Sequence, residues 1–278
     1  MMAIALVAAQ TIGLPAPTPY PVAARRAVDL RTWAQHDAIT ANLKTPFIVK
    51  LPGGVVFGFH PHSNQPDDPQ FKVLEREWSE LKPTAVLVEG RSGPYIGKES
   101  DLVARLGEPG WAMRRAQTEK LKIWSWEPTV QAELRAMLMH GSAEDATLML
   151  FLRTYVSRRR TGPVPDSDAA SILSRRLAAY NLTGTFADLD ALEAYWNSKY
   201  AGHGDWRAVP EGWKWAGEAS PLAKMSAEVG DLRTSNLVLA VHDLHGKGER
   251  VLAICGSGHA IRGEPWLKRA LGVMHGDR

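Results

Sequence analysis

Four apolar runs in the sequence end in residues suited to acid–base or ligand chemistry. VVFGFHPH gives His60 and His62. TAVLVEG gives Glu89, with Arg91 beyond it. LKIWSWEP gives Glu127, and RVLAICGSGH gives His259 after Gly256, Ser257 and Gly258. Histidine titrates near neutral pH and can take a proton from water, while a carboxylate can orient either the ring or the water. Two histidines and a carboxylate can equally hold a divalent ion and leave one position for water. The glycines of the last run let the backbone approach a ligand closely and turn N–H groups towards an oxyanion. Each residue alone has an ordinary reading. Glu89 could pair with Arg91, Glu127 could accept backbone N–H groups in a turn, and His259 could be the polar start of a helix. Four such strand ends together point to a shared pocket if the strands are neighbours, because open α/β sheets bind ligands beyond the carboxyl ends of their strands.

Other candidates carry less. His242 and His245 are three apart near the end of a long helical stretch, where they suit the negative end of the helix dipole, with Gly246 as its C-cap. Cys255, the sole cysteine, ends an apolar strand and reads as a buried small side chain; no disulfide within the chain can form. The HExxH zinc motif, the GxSxG elbow and the P-loop are absent. The net charge is only +3, and basic residues cluster no more densely than Arg158–Arg160, so the sequence offers no nucleic-acid surface.

The elements that must position these residues alternate in type. RAVDLRTWAQHDAITANL is a short helical segment, and TPFIVKLPGGVVFGFH reads as a hairpin turning at Pro52, Gly53 and Gly54. DPQFKVLEREWSELK places Phe71, Leu74, Trp78 and Leu81 at helical spacing. Strands, helices and strands then follow in turn, the α/β pattern. The expected fold is a central mixed β-sheet flanked by helices, with a largely helical insertion over about 129–245. A Gly-, Pro- and Trp-rich stretch, KYAGHGDWRAVPEGWKWAGEASP, reads as a loop over a site or as a packed connection. A long helix over roughly 225–245, the GSGH strand and a closing helix complete a single α/β domain, 29–278.

Residues 1–28 read as a leader. MMAIALVAAQTIGLPAPTPYPVAA passes from an apolar stretch into Pro and small residues, as a secretory signal does, although it lacks a basic start. If it is a signal, the protein is periplasmic or secreted; otherwise it is cytoplasmic. No stretch approaches the ~20 apolar residues of a transmembrane helix.

The order of these features resembles the TIKI/TraB superfamily, which includes GumN, erythromycin-esterase-like and ChaN-like proteins. The family pattern is a strand ending in Gly-x-x-His, a helix, a strand ending in Glu, a later helical arginine and a last strand ending in a second Gly-x-x-His. Here the second motif is intact at Gly256–His259, the Glu position matches Glu89, the arginine best matches Arg233, and WSWEP resembles the Glu-Pro step that carries Glu127. The match runs over about 55–271, with a poorly matched middle at 157–221. Gly58 stands one residue too close to His60 and one too far from His62; the polar segment after His62 favours His62, with His60 as its neighbour. The resemblance implies a hydrolase of a peptide or ester bond. His62, His259 and Glu89 would hold a divalent ion (manganese, cobalt or zinc) or activate water. Arg233 would stabilise developing charge or bind a substrate carboxylate, and Glu127 would support. It also implies a rival, a haem- or peptide-signal-binding protein without turnover.

Overall fold

The three inner strands of the sheet read as unbroken apolar runs because both of their faces are covered. The structure, a computed structural model, describes residues 20–41, 43, 45–90 and 99–272. In chain order its elements begin with α1 (Val22–Arg26), α2 (Trp33–Thr40), β1 (Phe47–Leu51), β2 (Gly54–Phe59), α3 (Pro69–Leu81) and β3 (Ala85–Val88). Then come α4 (Glu99–Leu106), α5 (Glu108–Thr118), β4 (Lys122–Ser125), α6 (Val130–Leu138), α7 (Ala143–Arg159), α8 (Asp166–Tyr180) and α9 (Leu189–Lys199). The chain closes with α10 (Pro221–Gly246), β5 (Val251–Gly256) and α11 (Ser257–Ala270). This is an α/β fold around a mixed five-stranded sheet of order β1-β2-β5-β3-β4. β1 and β2 form the expected antiparallel hairpin, with Leu51 opposite Gly54 and a positive φ at Gly53. β2, β5, β3 and β4 are parallel, so their carboxyl ends lie along one edge.

Alternate residues of each strand enter opposite cores. Val55, Phe57, Phe59, Val86, Val88, Leu252 and Ile254 pack with α3, α4 and α5, through Leu74, Trp78, Leu102 and Trp111. Val56, Ala85, Leu87, Ala253 and Cys255 pack with α10 and α11, through Leu237, Val241, Ala260 and Leu267. β2 to β3 and β3 to β4 step one way across the sheet with their helices on the first face. The chain steps back to β5 with α10 on the second face, which keeps every parallel crossover of one hand. Val28 is buried in the second core, and Tyr20 and Ala24 pack against it; residues 1–19 of the expected leader lie outside the described residues.

Gly58 fixes how closely the last helix approaches. A Cβ there would lie 2.7 Å from both the Ala260 Cβ and the Ser257 Cα, so the first turn of α11 rests on the bare backbone of β2. Its irregular spacing from the histidines thus has a packing reason.

The chain divides into two compact units, and Thr129–Leu232 forms the second. Its core gathers Met137, Leu148, Phe151, Leu192, Trp196 and Trp206. The Gly/Pro/Trp-rich stretch packs into that core through Trp206 and Val209, as a packed connection does. Asp145 ties the unit internally, accepting hydrogen bonds from Tyr195, Tyr200 and Lys199. Among the described residues no helix is long and apolar enough to cross a membrane.

Replacing Gly58 with alanine forces β2 and α11 apart. Gly58→Ala should lower stability by ~1–3 kcal/mol, read from the urea midpoint at unchanged slope; an unchanged midpoint would mean that α11 does not depend on this contact.

Candidate functional site

The carboxyl edge gathers the residues that the strand ends supply. A Cβ placed on Gly256 would lie 3.7 Å from His62 Nε2, 3.9 Å from Glu89 Oε2 and 4.0 Å from His259 Cδ2. Side chains following β2 and β3 and the first turn of α11 therefore surround one backbone atom at the end of β5, the central strand. A Cβ at Gly256 would stand in ordinary van der Waals contact with all three.

Each of the three is held from behind. His62 follows β2, and its Nδ1 lies 2.9 Å from Glu108 Oε2. Glu108 is fully buried and also accepts hydrogen bonds from the Ser63 N–H at 2.8 Å and the Gln70 amide at 2.6 Å. With Nδ1 bonded to Glu108, His62 Nε2 is turned towards the Gly256 side. Glu108 reaches this position because it opens α5 directly after Gly107, whose φ is +65°. A Cβ on Gly107 would come within 2.9 Å of the Ser63 carbonyl. His259 Nδ1 sits 2.8 Å from the Thr234 hydroxyl of α10, and its ring meets the Trp126 indole edge-on at 5.1 Å between centroids.

Glu89 accepts the Gly256 N–H at 2.8 Å and an Arg233 Nη2–H at 2.7 Å. The same guanidinium donates in bidentate fashion to Glu127, from Nε at 2.8 Å and Nη2 at 2.5 Å, and lies over the Trp126 ring at 5.4 Å. Trp126, fully buried, donates its indole N–H to the Ile254 carbonyl of β5 and accepts from the Asn236 amide of α10 through its own carbonyl. Burial pushes the Glu89 carboxyl up, but the Arg233 guanidinium, the His62 ring and the Gly256 N–H outweigh it and hold it below the usual carboxylate range.

His62, Glu89, His259, Arg233 and Glu127 are thus brought together, directly or through Glu89. His60 is not: it is exposed just past the end of β2, and its backbone carbonyl accepts the Thr45 hydroxyl. Arg91 lies outside the described residues. His245 lies beside Gly53 at the hairpin turn, at the opposite end of β2, and α10 continues through Gly246 to a left-handed residue at Gly248. Burial, with the nearby Glu89 charge, pushes the Cys255 thiol well up, and its Sγ–H points at the Phe57 carbonyl; it is a core residue. Sequence reasoning missed Glu108, Thr234 and Trp126. Of these only Glu108 left a signal, an acid following Gly in the first turn of a helix, and that signal also fits an ordinary dipole partner.

The ring nitrogens of His62 and His259, each backed by a second partner, are held as metal-binding histidines are. Glu89, however, is already engaged by Arg233 and the Gly256 N–H. Among the described residues no group of three or more His, Cys, Asp and Glu side chains is arranged to hold a metal ion. As arranged, His62, His259 and Glu89 do not form a three-donor site. Comparison of the chain with protein-family models, with curated proteins and with solved structures returns no match.

Removing the guanidinium leaves the buried Glu127 carboxylate and the half-buried Glu89 carboxylate without their cation, so Arg233→Leu should cost about 3 kcal/mol of stability in urea unfolding near neutral pH. The contribution of Glu89 is fully present above its unfolded value of 4.5 and is lost as the pH falls through its lower folded value. Glu89→Gln should therefore flatten the decline of stability below that pH; an unaltered acid profile would show that this carboxylate is not held ionised in the folded protein.

Proposed function

We propose that the protein is a hydrolase that activates water at His62 and cleaves an acyl bond, a peptide or an ester. The observation that carries this reading is the convergence of His62 Nε2, Glu89 and His259 on Gly256 at the carboxyl edge of the sheet. The resemblance of the motif order to the TIKI/TraB superfamily adds support.

His62 Nε2 takes a proton from water, and Glu108 holds Nδ1–H and stabilises the imidazolium that forms. Glu89, kept anionic by Arg233, accepts a hydrogen bond from the same water and sets its direction of attack. The carbonyl oxygen gains charge as the water oxygen bonds to the acyl carbon. The first-turn N–H groups of α11 face that charge, since Gly256 offers no side chain to cap them. His259, fixed by Thr234, borders the same space. The imidazolium then returns its proton to the leaving amine or alkoxide as the acyl bond breaks. Arg233 and Glu127 act by holding Glu89; the guanidinium already faces two carboxylates, so a substrate carboxylate would have to displace one of them.

A panel of peptides and simple esters tests this reading. His62→Ala should lower kcat by ~10²–10⁴-fold, and His259→Ala should lower it while the melting temperature stays near that of the wild type; Glu89→Gln should lower it with a reduced melting temperature but a folded chain. Full activity in all three folded variants would sink the assignment. Elemental analysis of protein prepared without chelators, with activity assayed before and after EDTA, separates the two forms of the chemistry. Stoichiometric manganese, cobalt or zinc with EDTA-sensitive turnover would require Glu89 to exchange Arg233 for an ion.

A further inference from the structure

The helix α2 has an unusual place in the fold. No residue of its eight is buried, so it contributes no core of its own. It is nevertheless fastened to α11 by reciprocal bonds from the residue just before its cap. The Arg31 N–H donates to the Arg262 carbonyl at 3.0 Å, and Arg262 Nε donates back to the Arg31 carbonyl at 2.8 Å. Arg31 also reaches the Ile261 carbonyl and the Glu264 carboxylate, each at 2.6 Å. A capping box of Thr32 and Gln35 sets the start of the helix.

These bonds hold two side chains beside the catalytic helix. Trp33 leaves 42% of its surface in water. Its ring rests on the guanidinium of Arg262 at 4.1 Å, and Arg262 is itself buried, at 3% exposure. His36 meets the Trp33 ring edge-on at 5.6 Å. Its Nε2 lies 3.5 Å from where a Cβ on Gly258 would stand. Gly258 is two residues beyond Gly256, in the same first turn that faces His62 and Glu89. A buried cation stacked under a half-exposed indole fixes the ring without covering it. The result is an aromatic surface held against α11, with His36 standing between it and the first turn of that helix.

We propose that Trp33 is the specificity-determining residue of this site: its exposed surface stacks a planar ring of the substrate, and His36 lines the path from that ring to the reacting carbon. The proposal rests on the hydrolase reading for its substrate. Its binding surface is tested separately.

The experiment compares ethyl phenylacetate and benzyl acetate with ethyl acetate in a pH-stat, for the wild type, Trp33→Ala and Trp33→Phe. The wild type should prefer a ring-bearing ester. Trp33→Ala should lower the ratio of kcat/KM for that ester over ethyl acetate by about tenfold, mainly through KM, and Trp33→Phe should restore most of it. In parallel, the Trp33 indole N–H signal, assigned by its loss in Trp33→Phe, is followed by NMR while phenylacetate and benzyl alcohol are titrated. A shift of that signal in a protein that turns over no ester upholds the ring-binding surface and overturns the ester form of the hydrolase reading alone. An ester preference unchanged in Trp33→Ala, or an indole signal that neither compound moves, overturns the proposal.

Discussion

The ends of three of the five strands depend on one guanidinium. Parallel strands put their carboxyl ends side by side, and here β3 and β4 each lead into a glutamate at that edge. A buried carboxylate and a half-buried one so close would repel. Arg233 lies between them, bonded twice to Glu127 and once to Glu89. Glu89 passes the link on to the Gly256 N–H. A single chain of charge-assisted bonds therefore ties the ends of β4, β3 and β5 together. Such bonds are short and directional, and they orient Glu89 as well as holding it. The Trp126 ring beneath Arg233 carries the same order to β5 and α10 through its indole N–H and carbonyl.

A second device on the other side of the central strand is independent of the first. His62 has no strand to hold it, since β2 has already ended at Phe59. Its orientation comes instead from Glu108, a buried carboxylate whose other oxygen is occupied by Ser63 and Gln70. Two carboxylates thus have opposite duties. Glu89 is anchored by a cation and faces the site. Glu108 is withdrawn from water and meets the site only through His62.

Much of this was legible in the sequence, for definable reasons. TAVLVEG and RVLAICG have to be buried strands because no polar residue interrupts them, and the polar residues that close them have to lie at the sheet edge. That logic places Glu89, Glu127 and His259 correctly from one-dimensional information. It says nothing of which strand is central, because strand order is set by crossovers hundreds of atoms long. Glu108 was hidden for a related reason. At the start of GEPGW it looks like any acid favoured by a helix N-terminus, and only tertiary packing brings it under His62. Gly58 was legible as a glycine but not as a reason; its value is the space it leaves for Ser257 and Ala260. The polar segment after His62 favours it over His60, but the Glu108 bond that holds its ring comes only from tertiary packing.

The place of β5 in the sheet has a consequence for the order in which the molecule can assemble. The strand at the centre is the last to be made: Gly54 of β2 pairs with Val251, almost the length of the chain away. Until the ribosome has released the C-terminal segment, β2 and β3 have no partner between them, and their inner edges are open to wrong pairing. Contacts of such long range are slow to form. The same late strand delivers Gly256 and leads straight into His259, so completing the sheet and completing the site are one event. A chain that stops before β5 would lack the central strand and the Gly256–His259 turn together.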